Sequence, residues 1–312
     1  MRVAVTGAAG FIGSHLVERL LLEGIDIVAL DSLNGDLYPS DVKSKNWDIQ
    51  GLHGSRVERI NLDLREAIDP QIFTDCKAIF HLAAMPGLSL SWTNTKLYID
   101  SNLLATCNLM SACESVQNLK FFHISTSSVY GKNVTGDENS PLNPTSPYGV
   151  TKLAAEKAVI AMGSAKNINY NILRLFSVYG PRQRPDMAFN IFIRKILLGE
   201  QIQIFGDGTQ SRANTFVKDI VEGIFLAFRH FEPGEIYNLS GKEEVSVNEV
   251  LSIMEEQLGK TANITNIEER LGDQQRTVDV SSKALRQIGY NPSTNISKGI
   301  AEQIKWQGEL LQ

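Results

Sequence analysis

Short apolar runs alternate with longer amphipathic segments through the first 175 residues of the chain. Arg2–Thr6, Ile25–Leu30, Val57–Leu62, Ala78–Leu82, Phe121–Ile124 and Asn169–Leu175 are rich in valine, isoleucine, leucine and phenylalanine. Strands buried on both faces have this short, apolar character. Between them, a helical period runs from Phe11 to near Glu23, Trp92–Ser115 reads as one long helix, and another helix opens at Ser146 and reaches Met162. Strand and helix in turn predict an α/β fold on a doubly wound parallel sheet. Beyond residue 175 the pattern is more mixed. Gln203–Gly208 reads as a short strand and turn, and Asn248–Leu258 and Ser281–Ile288 read as helices.

Composition narrows the class. A chain of 312 residues has ample core for one large domain or two. Hydrophobic content of 43% and charged content of 21% are those of an ordinary soluble globular protein. A formal charge of −5 gives no basic footprint for nucleic acid. No stretch of about 18 apolar residues suits a membrane span. Met1-Arg2-Val3-Ala4-Val5 runs straight into a strand pattern rather than a secretory signal. Cys76, Cys107 and Cys113 lack CxxC spacing and read as thiols of a reducing compartment, so a cytoplasmic location is expected. The histidines are scattered and offer no metal-ligand cluster.

The first strand runs into Thr6-Gly7-Ala8-Ala9-Gly10-Phe11-Ile12-Gly13, and a helix follows. In such a turn Gly7 permits the tight bend, Gly10 lets the backbone approach a pyrophosphate, and Gly13 allows close helix–strand packing. The second strand ends in Asp31, an acid placed to accept hydrogen bonds from ribose hydroxyls and to repel a 2′-phosphate. Strand, glycine turn, helix, strand and terminal acid together point to NAD.

A second centre lies at Ser146-Pro147-Tyr148-Gly149-Val150-Thr151-Lys152. On a helix Tyr148 and Lys152 share one face, and a neighbouring ammonium favours the phenolate of a tyrosine whose ordinary pKa is about 10. The spacing therefore assigns Tyr148 the part of a proton acceptor and Lys152 that of its cation. Ser125-Thr126-Ser127-Ser128 ends the Phe121–Ile124 strand, where open α/β sheets bind ligands. His81, at the end of its own strand, reads as structural.

These residues, with His81-Leu82-Ala83-Ala84, Tyr130-Gly131 and Tyr179-Gly180-Pro181-Arg182-Gln183-Arg184-Pro185-Asp186-Met187, resemble the extended short-chain dehydrogenase/reductase family, in particular its nucleotide-sugar epimerases and dehydratases. The resemblance covers essentially the whole chain. It implies a Rossmann-type NAD domain over residues 1–175. A smaller C-terminal α/β substrate-binding domain would lie mainly within 176–312, with some chain crossing back to the Rossmann sheet. It implies that NAD is held by the glycine turn with Phe11 and Ile12, by Asp31, Asp63 and Leu64, by Leu82, Ala83 and Ala84, by Asn102, and by Tyr148 and Lys152. Substrate contacts are implied for Pro86, Thr126, Ser127, Ser128, Tyr148, Ser177, Arg184, Phe189 and Phe205, with Arg212 and Arg276 on the diphosphate of a UDP-sugar. A homodimer built on outward-facing helices is also implied.

The family mechanism gives Tyr148 the proton of a sugar C4 hydroxyl, Lys152 the nicotinamide ribose, and Thr126 a hydrogen bond to the same sugar oxygen. Hydride leaves C4 for NAD, and the resulting 4-keto sugar meets different fates. Dehydratases carry an Asp-Glu pair directly after the Thr, and UDP-glucuronate decarboxylases a glutamate at the position of Ser128. The chain has Ser127-Ser128 there, which leaves 4-epimerisation with NAD retained. The Arg-Gln-Arg-Pro-Asp-Met run resembles that of UDP-glucuronate 4-epimerases, in which the arginine matching Arg184 lies near the C6 carboxylate. Two departures from the family pattern stand out: Ser89 where a relative has arginine, and Ala213-Asn214 where relatives read Asp-Phe. A UDP-glucose or UDP-N-acetylhexosamine 4-epimerase, a dehydratase or decarboxylase, and a non-catalytic NAD sensor remain as alternatives.

Overall fold

Seven parallel strands form the central sheet, in the spatial order Ile236–Leu239, Asn169–Leu175, Lys120–Thr126, Cys76–His81, Arg2–Thr6, Asp26–Asp31 and Val57–Asn61. The computed structural model describes residues 1–269 and 274–310. All six expected strands are present, with ends displaced by a residue or two, and Asn169–Leu175 falls as expected. The seventh, Ile236–Leu239, has only four residues and no apolar alternation to mark it; pairing with Ile172–Leu175 makes it a strand.

Helices cover both faces, because every central strand is apolar on both sides. Phe11–Leu22 and Val217–Arg229 pack over one face, closing a cluster that includes Val3, Val5, Phe80, Phe122 and Ile224. Ala105–Ala112 and Pro147–Lys166 cover the other, with Ala4, Ile79, Phe121 and Val159 at its centre. A separate cluster gathers Phe189, Ile193, Ile202, Leu251 and Ile300 from helices Ala188–Leu198, Val247–Leu258 and Ile296–Leu310 and from the strand Gln201–Phe205. Ser281–Ile288 is helical only over Lys283–Ile288. None of the described helices is long and apolar enough to cross a membrane.

The helix expected over Trp92–Ser115 is interrupted. Turns at Ser89–Thr93 and Thr95–Tyr98 are divided at Asn94, whose side chain accepts from Leu97 N at 3.4 Å and so caps the second turn. A short amide that can bond locally competes with the helix ladder in this way. A π-helical stretch, Ile99–Leu104, follows before α-helix resumes over Ala105–Ala112. The helix bearing Tyr148 is well specified. Ser146 accepts from Gly149 N at 3.1 Å, Pro147 sits where its missing N–H costs nothing, and left-handed Asn167 ends the helix.

Candidate active site

A cleft of about 670 Å³ runs along the carboxyl ends of the strands. At one end is the glycine turn. Gly7 has φ +67°, and a Cβ on it would stand 2.8 Å from Ala83 N. A Cβ on Gly13 would come within 2.1 Å of Gly7 O, so only glycine lets the helix start so close to the turn. Gly10 differs: its Cβ would meet only Gly7 O, at 3.1 Å, and otherwise open space. That space lies at the N-terminus of helix Phe11–Leu22, where unpaired N–H groups and the helix dipole favour an anion.

Asp31 closes this end of the cleft. Its carboxylate accepts from Ala9 N at 3.1 Å and Leu33 N at 2.9 Å, and Lys43 lies 3.7 Å away. Two amides that the sequence pattern did not single out brace the turn from helix Ser40–Gly51. Asn46 donates to Ala9 O at 2.9 Å and Gln50 to Ala8 O at 2.7 Å. Their i, i+4 spacing on a polar helix resembles a solvated face, which is why they pass unnoticed. Asp63, Leu64, Leu82, Ala83 and Ala84 also line the cleft, with Asp63 chelated by Arg65 through contacts of 2.6 and 3.0 Å. The open cradle at Gly10, the anion-favouring helix end and the carboxylate of Asp31 fit a dinucleotide such as NAD.

At the other end, Thr126, Ser127, Ser128, Tyr148, Lys152, Ser177 and Arg184 share the lining. Burial pushes the Tyr148 phenol above its ordinary pKa, while a hydrogen bond with Thr126 and the charge of Arg184 oppose that rise. Arg184 thus adds a second cation to the one that the helix spacing places near the phenol. The Lys152 ammonium donates to Ile124 O at 2.7 Å, and burial lowers its pKa to about 8. Arg184 is itself chelated by Asp186, with Nε and Nη2 at 3.0 and 2.9 Å. Thr126 Oγ1 accepts from Ser128 N at 3.1 Å, which fixes the turn carrying the two serines.

Tyr98, which the chain pattern does not mark, meets Tyr148 edge to face at 6.2 Å and donates to Pro86 O at 2.9 Å. Pro86 and Ser89 line the cleft beside it. Arg212 lines the far wall, its Nη1 donating to Gln274 O at 2.7 Å, and Gln274 in turn donates to Gly131 O at 2.7 Å.

Four expected site residues lie outside the lining. Asn102 is buried and spends its amide on Met85 N, Met85 O and Thr151 Oγ1, at 2.7, 3.0 and 3.0 Å, so it clamps the Leu82–Pro86 turn to the Tyr148 helix. Phe189 packs on Tyr179, ring centres 4.9 Å apart, within the C-terminal apolar cluster. Phe205 ends its strand half-buried, outside the cleft lining. Arg276 is held by Glu244 through two contacts of 2.8 Å. His81 is structural as expected. Thr6 and Thr106 hydroxyls sit 2.9 Å from its two ring nitrogens, and burial lowers its pKa to about 3.

The model of the NAD dependent epimerase/dehydratase family matches residues 3–240. An uncharacterised UDP-glucose epimerase of Bacillus subtilis is 39% identical, over 100% of this chain and 99% of its own. A UDP-glucuronate 4-epimerase of Thermodesulfobacterium geofontis is 34% identical, over 99% of this chain and 96% of its own. The crystal structure of the UDP-glucuronic acid 4-epimerase of Bacillus cereus in complex with UDP-glucuronic acid and NAD superposes with a TM-score of 0.95 at 38% identity, covering 99% of this chain and 100% of that one. The glycine cradle, the terminal acid and the Tyr148–Lys152 helix are thus set in a chain that belongs to the NAD-dependent epimerase/dehydratase family.

Proposed function

We propose that this protein interconverts UDP-glucuronate and UDP-galacturonate by NAD-dependent epimerisation at C4. The observation that carries the reading is one wall of the cleft: a half-buried phenol, the Thr126 hydroxyl and the Arg184 guanidinium, beside two neutral serines. NAD, which the Gly7–Gly13 turn and Asp31 would hold, would supply the acceptor for the C4 hydride and the donor for its return to the other face of the sugar. Tyr148 accepts the C4 hydroxyl proton and later gives it back, with Thr126 sharing the same oxygen. The ammonium of Lys152 has three hydrogens, of which one is on Ile124 O, leaving two for ribose hydroxyls. Arg184 keeps Nη1 for a C6 carboxylate while Asp186 fixes its plane through Nε and Nη2. That requirement favours a hexuronate over a neutral hexose. Ser127 and Ser128 give no acid or base for elimination at C5 or for assisted loss of CO₂.

Arg212 is the cation in place for the diphosphate, whereas Arg276 reaches it only by leaving Glu244. The segments around the C-terminal apolar cluster form the nucleotide-sugar domain in this reading, and residues 217–239 return to the main sheet. Ile99, Leu104 and Val150 are exposed on neighbouring helical segments, which supports a homodimer joined there. Three free thiols support a reducing, cytoplasmic setting. Incubating the purified protein with UDP-glucuronate, UDP-glucose and UDP-N-acetylglucosamine, read by NMR, tests the assignment. UDP-galacturonate without UDP-pentose is the expected product; UDP-pentose, or turnover of the neutral sugars alone, overturns it.

A further inference from the structure

The face of the Tyr148 helix carries a third ionisable group, Glu156, one turn beyond Lys152. It has no exposed surface. Its carboxylate takes both prongs of the Arg174 guanidinium, Nε to Oε1 at 3.0 Å and Nη2 to Oε2 at 2.8 Å, and the Ser125 hydroxyl donates to Oε1 as well. The three side chains meet consecutive residues of one strand end. Lys152 meets Ile124 O, Glu156 meets the Ser125 hydroxyl, and Tyr148 meets Thr126. Arg174 stands on the adjacent strand, in register with Ser125. Its remaining edge is fixed by Tyr130 OH at 2.8 Å, and Tyr130 donates to Asn238 on the next strand at 2.7 Å.

A buried carboxylate and guanidinium cost several kcal/mol each to desolvate, and an apolar pair of equal volume packs as well or better. Packing therefore does not account for charges at this place, whereas the neighbouring ammonium does. Among the described residues, the titratable groups facing Lys152 are Tyr148 and Glu156 on its own helix and, on the strands beneath, His81 and His123, the two imidazoles held neutral by burial. Glu156 is the one carboxylate among them.

We propose that Glu156, locked in place by Arg174, is a positioning residue of the catalytic site, setting the register of Tyr148 and Lys152 on the strand end and supplying the negative charge that keeps Lys152 an ammonium. The proposal rests on Tyr148 and Lys152 being the catalytic pair. It makes the Lys152 side chain respond to two residues outside the lining of the cleft.

The test is a direct titration of Lys152 by NMR in protein carrying ¹³C-labelled lysine, with Lys152→Met to assign the signal. It needs no substrate, so absent UDP-sugar turnover would sink the functional reading and leave this result standing. Glu156→Gln should lower the Lys152 midpoint by about one unit or more. The kcat profile should lose its alkaline side over the same interval. Glu156→Gln/Arg174→Met removes the ion pair whole and leaves no unpaired guanidinium, so it serves if the single variant does not fold. Its midpoint should also lie below that of the wild type, because the anion nearest Lys152 is gone. A Lys152 midpoint equal to the wild-type value in either folded variant overturns the proposal.

Discussion

Alanine at Gly10 and at Gly13 should separate ligand approach from packing within one turn of chain. At Gly13 the added methyl would stand 2.1 Å from Gly7 O and 2.9 Å from Gly7 C, both backbone atoms of a turn that cannot swing aside. Overpacking of this kind costs about 1–3 kcal/mol, and a clash with backbone belongs at the upper end. Replacing a helical glycine by alanine returns up to about 1 kcal/mol. The net loss is about 2 kcal/mol, or about 3 °C in Tm for a chain of this size. At Gly10 the backbone is already in a conformation alanine adopts, φ −73° and ψ 178°, and the methyl meets only Gly7 O at 3.1 Å. Stability should therefore fall by less than about 1 kcal/mol, the difference between glycine and alanine as a helix cap. The methyl fills the space proposed for the pyrophosphate, so NAD affinity should fall at least about tenfold, or about 1.4 kcal/mol. Thermal unfolding with and without NAD, paired with calorimetric titration of NAD, measures both quantities. Wild-type NAD affinity in Gly10→Ala would remove the glycine cradle from the cofactor site. A wild-type Tm in Gly13→Ala would refute the packing argument.

Tyr148→Phe should retain NAD and lose about 10²–10⁴ in turnover, as removal of a general acid–base does; NMR of product formation checks it, and undiminished turnover contradicts it. Arg184→Gln should lower kcat/KM for UDP-glucuronate by about 10- to 100-fold, the worth of a charge-assisted hydrogen bond, with far less effect on UDP-glucose; equal losses on both sugars refute the assignment of Arg184 to C6. Ser128→Glu places a carboxylate beside Thr126 and should divert UDP-glucuronate towards UDP-pentose, read as a product ratio; an unchanged ratio counts against the neutral-serine argument. Lys152 gives a stability signature. Its folded pKa is about 8, against about 10.4 in an unfolded chain, so the unfolded state binds the proton more tightly between those values. Below pH 8 the cost of burying the ammonium is present in full, and it is relieved as pH rises through that interval. The unfolding free energy of the wild type minus that of Lys152→Met should accordingly rise by about 3 kcal/mol from pH 8 to 10.5; a flat difference refutes it.

The legible parts of this protein are those whose physics is local. A glycine turn with an acid at the next strand end, and a proline-started helix capped by Ser146, depend on neighbours within a few residues. Strands buried on both faces announce themselves as apolar runs, whereas Ile236–Leu239 becomes a strand only through its pairing with Ile172–Leu175. The break at Asn94 turns on whether one amide caps a turn or faces water, which the helical period does not encode. Partner choice is the least local property of all. Spacing places Lys152 beside Tyr148, but only the fold shows that Lys152 also bonds Ile124 O and that Arg184 comes to the phenol from a loop 36 residues later in the chain, 184 minus 148. Arg276 and Glu244 pair across two strands, and Asn102 folds into the core, for the same reason.

Acid–base chemistry in this cleft is restricted by pairing as much as by composition. Among the described residues, the carboxylates that line it are Asp31, Asp36, Asp63 and Asp186. Asp31 accepts from two backbone amides, Asp36 and Asp63 share Arg65, and Asp186 is chelated by Arg184. Glu156, behind the wall, is chelated by Arg174. Each of these carboxylates is already committed to an arginine or to backbone amides, so none stands open to take a proton from a sugar carbon. The Tyr148 phenol has the opposite setting: burial raises its affinity for a proton, while the hydrogen bond with Thr126 and the charge of Arg184 oppose that rise. A keto sugar held here has a partner for the proton at O4 and none for the proton at C5. Return of hydride to C4 is then the open route, which is the course of an epimerase rather than a dehydratase.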